Sequence, residues 1–305
     1  MKRRLTLLLL TVLLLLSMSA GALAQAQKDE VVYARLNLEG APTGVFLINA
    51  FEAGEETRVV DYGKYTEAFP LSSVPGFSYQ GGEAAFTMPA GRFSYQGTLE
   101  SLALPWLFAM SYTLDGQPVE AAALSGASGR LEGRLQVQIN EELRQYADSL
   151  SLQITISLDS DNCLNIRSDK ATHALAGGSR TLSYVVLPGQ EADYTFSADV
   201  HDFHMAGVQI AGVRMGMDTA MYQASAAAAL AGSPLEGAVS GLMANFLEGM
   251  QGQPSVSFTD ARNPVRSLQF VLMGEEIPAP APPPDTAEAQ APQTFWQRLL
   301  NIFKP

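Results

Sequence analysis

Arg130-Leu131-Glu132-Gly133-Arg134-Leu135-Gln136-Val137-Gln138-Ile139 and Leu150-Ser151-Leu152-Gln153-Ile154-Thr155-Ile156-Ser157-Leu158 are the two stretches that decide the fold. In both, apolar or small residues alternate with charged and hydroxyl-bearing ones. A period of two places every apolar side chain on one face and every polar one on the other, as a half-buried strand requires. A helix built from the same letters would scatter its apolar residues around the cylinder. The pair therefore predicts a one-sided antiparallel sheet, and the remaining chain must supply its cover.

The chain opens like an exported protein. Lys2, Arg3 and Arg4 precede the apolar run Leu5–Leu16, and Ala22-Leu23-Ala24 is a small-residue cleavage site, with Ala24-Gln25-Ala26 as an alternative. The apolar run is shorter than the ~20 residues of a membrane span. No cysteine follows it to carry a lipid, and no later stretch is apolar enough to span a bilayer. Cleavage after residue 24 removes three basic residues and leaves 16 basic against 31 acidic ones, a net charge of −15. That balance speaks against nucleic acid or anionic lipid as a partner of the whole surface. The remaining chain, about 280 residues, is long enough for one large or two modest domains with a real core. Its one cysteine, Cys163, permits no internal disulfide, so stability must come from packing.

Outward from the two deciding stretches, the same patterns recur. Glu30–Leu38 alternates, Gly40–Gly44 is turn material, and Val45–Phe51 is a continuous apolar strand. Phe77-Ser78-Tyr79-Gln80-Gly81 is echoed by Phe93-Ser94-Tyr95-Gln96-Gly97. Asp115-Gly116 is a hairpin turn signal after the strand Phe108–Leu114. Thr181–Leu187 ends at Pro188-Gly189 and is followed by the alternating Ala192–Val200. That strand, corner and Tyr-led strand are similar to the corner of immunoglobulin-like sandwiches, with Tyr194 the candidate corner tyrosine.

Composition shifts at Asp218. Thr219–Leu230 is Ala-rich, and Ser233-Pro234-Leu235-Glu236 is a capping box ahead of Leu235, Val239, Leu242 and Phe246 at helical spacing. Ser255–Phe258 and Val265–Met273 then read as a returning strand pair. Ile277–Gln293 is a Pro/Ala-rich linker expected to be disordered. Beyond it, Phe295, Trp296, Leu299, Leu300 and Phe303 gather on one side of a short amphipathic helix. So short a helix must fold against something: a membrane interface, a partner protein or its own parent domain.

Catalytic grammar is thin. There is no G-x-S-x-G, H-E-x-x-H, phosphate loop or dinucleotide fingerprint. His201 and His204 resemble metal ligands, but their odd spacing on a strand points them to opposite faces unless the chain turns there. Asp159-Ser160-Asp161-Asn162 begins like a calcium loop and then lacks the required Gly and Glu. Glu55/Glu56 and Glu141/Glu142 are adjacent carboxylates suited to solubility. The expectation is no enzyme, no cofactor and no metal.

Val59-Val60-Asp61-Tyr62-Gly63-Lys64-Tyr65, Phe93–Gly97 with Leu104-Pro105-Trp106, Leu114-Asp115-Gly116, Ser128-Gly129, Asp199–Phe203 and Ser267–Leu272 carry a further signal. In this order they resemble a family of exported or surface-anchored proteins of Gram-positive bacteria. Some of its members are related to phage-infection-protein-like (Pip-type) membrane proteins. The resemblance implies an envelope location and attaches no reaction and no site residues. Such proteins carry a long Gly-punctuated helical repeat where this chain has only Asp218–Met250.

The reading is a mainly β protein with two immunoglobulin-like β-sandwich domains, 28–125 and 126–275, and an α-hairpin at about 218–250. A signal peptide at 1–24, a linker at 277–293 and an amphipathic helix at 294–305 complete it. The expected function is a non-catalytic envelope module that binds another envelope protein, or a cell-wall polymer. Phe295, Trp296, Leu299, Leu300 and Phe303 would dock it to membrane or partner. The competing expectation is a wall-carbohydrate-binding module or wall-acting hydrolase using rings such as Tyr79, Tyr95 and Trp106, which requires at least two of them on one open face; Trp106, in an apolar run, is expected to be core.

Overall fold

The structure is a computed structural model, and it describes residues 26–176, 178–214 and 255–280. The expected signal peptide, the expected α-hairpin at about 218–250, the linker beyond 280 and the expected helix bearing Phe295, Trp296, Leu299, Leu300 and Phe303 lie outside the described residues. No helix among the described residues is long and apolar enough to cross a membrane.

The chain is mainly β. The first half carries β1 (Gln27–Leu36), β2 (Pro42–Ala53), β3 (Thr57–Tyr62), β4 (Tyr65–Pro70), β5 (Ser78–Gln80), β6 (Glu83–Met88), β7 (Gly91–Leu99), β8 (Trp106–Leu114) and β9 (Gln117–Val119). The second carries β10 (Gly129–Ile139), a one-turn helix α1 (Arg144–Ala147), β11 (Ser151–Asp159), β12 (Cys163–Arg167), β13 (Thr172–Ala176), β14 (Ser179–Val186) and β15 (Ala192–Val200). The remaining strands are β16 (Gln209–Val213), β17 (Ser255–Val256), β18 (Pro264–Val265) and β19 (Ser267–Gly274). The alternation that decided the fold is realised. Leu131, Leu135, Val137 and Ile139 of β10, and Leu152, Ile154, Ile156 and Leu158 of β11, are all buried.

Pairing does not follow the division expected near residue 125. A nine-stranded sheet in the order β13-β14-β11-β16-β19-β1-β2-β7-β4 takes strands from both halves. Its centre is the parallel pair β1–β19, in register from Asp29↔Ser267 to Leu36↔Gly274. A five-stranded sheet, β12-β15-β10-β8-β9, also mixes the halves, because β8 pairs with β10 along its whole length. A three-stranded sheet, β3-β6-β5, completes the layers, and β17 and β18 form a short two-stranded ribbon beside them. The Ser/Gly/Ala-rich stretch at 124–129 is tied in rather than free. The Gly126 amide donates to the Phe203 carbonyl, and the Ser125 hydroxyl donates to Pro278 O. Ile277, counted in the linker on composition, is 1% exposed and bridges Met205. In place of two separate sandwiches, one long sheet is faced by two small ones.

Both small sheets lie on the same face of the long one. Trp106 of β8 meets Phe270 of β19 edge-on at 5.4 Å, and Tyr194 of β15 stacks on Tyr184 of β14 at 4.5 Å. These contacts place the five-stranded sheet over one half. Phe86 of β6 packs against Phe51, Phe93 and Tyr95, placing the three-stranded sheet over the other. The Tyr194 phenol donates to Val185 O at 2.8 Å, tying β15 to the end of β14.

Where the three layers meet, charge is buried. Lys28 and Glu30 lie on the inward row of β1 and Asp61 on the inward side of β3. The Lys28 ammonium contacts Asp61 at 2.6 Å and Glu30 at 2.7 Å, and Tyr95 donates to Asp61. Glu30 in turn accepts from the Ser257 hydroxyl and the Phe258 amide, which anchors the segment leading out of β17. Burial pushes the Asp61 carboxyl above its ordinary value, partly offset by Lys28.

Candidate functional site

The outward face of the five-stranded sheet carries a groove of about 530 Å³. Strand β10 forms its ridge. Glu132 stands between Thr113 of β8 and Ser197 of β15, and Arg134 stands between Ser111 and Thr195. Long side chains on the middle strand with hydroxyl residues on both neighbours leave troughs on either side. Arg167, Ser168 and Asp169, at the end of β12, form the outer wall. Gly133 between Glu132 and Arg134 has a steric reason. A Cβ there would sit 2.4 Å from the Phe196 ring, so glycine lets that ring cross β10 on the inward side. The β8–β9 turn that sets this register is the expected Asp115-Gly116, both residues at positive φ as a two-residue type I′ hairpin requires.

The groove's charges fall into two sets. Arg134 grips Asp193 with two nitrogens, and Arg130 bonds Asp199 and the Ser197 hydroxyl, each at 2.8 Å. Hydrogen bonding from Asn165, then from Arg130, holds the Asp199 carboxyl below its usual value, and Arg134 does the same for Asp193. The side chains of Glu132 and Arg167, both exposed, make no hydrogen bond or close ion pair among the described residues, and Arg167 reaches Asp199 only through its field. They are an open acceptor and an open donor beside a floor of hydroxyls. Such an array can both donate hydrogen bonds to a polar ligand and accept them from it. The Ser168 hydroxyl is already committed to Thr195 O and Tyr184, and His173 bonds the Ser168 carbonyl rather than its hydroxyl. No nucleophile–base pair forms there.

The expected stacking platform is corrected by burial. Trp106, 2% exposed, is core as its apolar run indicated, and Tyr95, 0% exposed, is core as well rather than on an open face. Tyr79 is half-buried and accepts the Tyr65 amide while donating to Gly63 O, which staples the turn between β3 and β4. The two echoed motifs therefore serve different structural ends. His204 and Asp159 approach only to 3.7 Å, beside a turn where Asp202 takes positive φ. His204 Nδ1 also meets the Asn162 amide at 2.6 Å, and Asp159 accepts from the Asp161 amide. Among the described residues no three metal-ligating side chains converge. Cys163 is buried, its thiol pushed up to about 12 by burial with Asp159 adding to it. Glu141 is engaged by Arg144 on an exposed turn.

Sequence reading passed over the groove. Glu132, Arg134 and Arg167 look like any solvated row until the cross-strand register is known. No protein-family model and no curated protein matches the chain. Among solved structures, it is similar to the Fcho1 mu homology domain of Danio rerio with bound Eps15 peptide, at 9% identity and TM-score 0.39, covering 83% of this chain and 97% of that one. It is also similar to the yeast delta-COP-I mu-homology domain, at 9% identity and TM-score 0.33, covering 82% of this chain and 95% of that one. The same yeast domain complexed with the Dsl1 WxWxV peptide gives 8% identity and TM-score 0.36, with the same coverage.

Proposed function

We propose that this chain is a non-catalytic, exported envelope module that binds a partner protein through the groove on its five-stranded sheet. The observation that carries the reading is the open pair, Glu132 and Arg167, set among Ser111, Thr113, Thr195 and Ser197. Surface charges of a purely solubilising face have no reason to be walled into a groove. The ligand class that fits is a polar polypeptide segment, whose side chains and backbone supply both donors and acceptors. A saccharide held by aromatic stacking loses its support with Tyr95 and Trp106 in the core. The basic-apolar N-terminus supports export, and Phe295, Trp296, Leu299, Leu300 and Phe303 supply a tether to membrane or partner.

The test of the groove is covalent capture in cells by the full chain and by the double variant Glu132→Gln, Arg167→Gln. A specific protein adduct should form with the first and disappear with the second, with the melting temperature unchanged. Equal capture by both chains would overturn the assignment. The tether is tested separately by stopping the chain at Pro292. Release of the truncated chain from the membrane fraction that retains the full chain is expected, and identical fractionation would remove the tether.

A further inference from the structure

The nine-stranded sheet is covered on one face only by described elements, yet its other face is not written for water. On that outward face, Val31 and Tyr33 of β1, Phe46 and Ile48 of β2, and Val271 and Met273 of β19 stand side by side. One row runs Ala211–Val271–Tyr33–Phe46 across four strands. The flanking strands change character. The same face of β11 shows Gln153, Thr155 and Ser157, and that of β7 shows Ser94, Gln96 and Thr98. Contiguous apolar character runs across β16, β19, β1 and β2, a strip about 19 Å wide at the usual strand spacing, with Val185 of β14 and Phe69 of β4 as isolated exposed side chains beyond it. A strand apolar on both faces, as Val45–Phe51 is, belongs between two layers. Gln96, next to this strip and 2% exposed, has a buried Oε1 without a partner among the described residues.

We propose that residues 215–254 of the same chain pack on this strip. The chain outside the structure ends in the right places. It leaves β16, itself one of the four central strands, after Val213, and returns at β17, both at the end of the sheet where β19 begins. Forty residues is enough for two helices about 10–12 Å thick lying side by side, which matches the width of the strip. Their composition fits an apolar bed. The segment holds Leu235, Val239, Leu242 and Phe246 at helical spacing and five methionines, against only Asp218, Glu236 and Glu248 as charges. Methionine fills the uneven surface of a sheet without demanding one shape.

The experiment places the photo-crosslinker p-benzoylphenylalanine at Phe46 in the full chain. Illumination should give an intramolecular adduct mapping within 215–254. The yield should fall about tenfold or more in Leu242→Asp, Phe246→Asp, which puts charge on the packed face. An adduct on 281–305, on a second copy or on another protein would overturn the proposal, as would no protein adduct. An unchanged yield in the double variant would do the same. None of these outcomes touches the groove, which lies on the other sheet.

Discussion

Two charged clusters sit at opposite extremes of this molecule. Lys28, Glu30 and Asp61 are enclosed where three sheets meet, whereas Arg130, Glu132, Arg134, Arg167, Asp193 and Asp199 line an open face. The buried set holds one cation against two carboxylates, and Ser257, the Phe258 amide and Tyr95 satisfy the remaining oxygens. Removing a partner there strands a charge away from water. The exposed set trades its pairs for hydration at little cost, because solvent screens them. Charge in the first cluster decides whether the layers hold together. In the second it is free to serve recognition.

The sharpest way to break this contrast is Lys28→Met. Two buried carboxylates lose their cation, and unfolding in urea should show a loss of about 3–5 kcal/mol. A loss below about 1 kcal/mol would place the cluster with ordinary surface pairs. Glu30→Gln keeps the shape and one acceptor for Ser257 while removing one charge and the acceptor of the Phe258 amide, and a smaller cost of about 1–3 kcal/mol is expected on the same assay.

Asp61→Asn sharpens the contrast through pH. The folded carboxyl titrates above its ordinary 3.8, so it contributes stability that is complete below that value and is lost as pH rises past the folded one. The Asn variant lacks that loss. Its stability relative to the parent should therefore climb as pH rises from 3.8 and then level off. A flat difference across that window would mean that burial does not govern Asp61. On the open face, Arg134→Gln removes the grip on Asp193 and should leave the urea midpoint almost unchanged, any small effect fading in high salt.

The contrast also explains what could be read in advance. Strand positions were legible because β10, β11 and β15 obey a strict period of two, and the Asp115-Gly116 turn because its φ angles admit few residues. Which strands pair was not legible. The β1–β19 pair joins residues some 240 positions apart, and nothing local in Val31–Leu36 names Gln269–Gly274 as a neighbour. The buried cluster did leave a signal. Lys28 and Glu30 share the parity of Val32, Ala34 and Leu36, so two charged residues stand on the core side of an alternating strand. The groove left none, because Glu132 and Arg167 become neighbours only through β15 lying between β10 and β12.

The most direct test of the recognition claim is a photo-crosslinker at Thr195, on the groove floor between Arg134 and the β12 wall. In cells making the full chain, a discrete adduct with one partner protein is expected, and it should vanish when Glu132 and Arg167 are both changed to glutamine. Adducts that persist in the double variant, or none in the parent chain, would contradict the account.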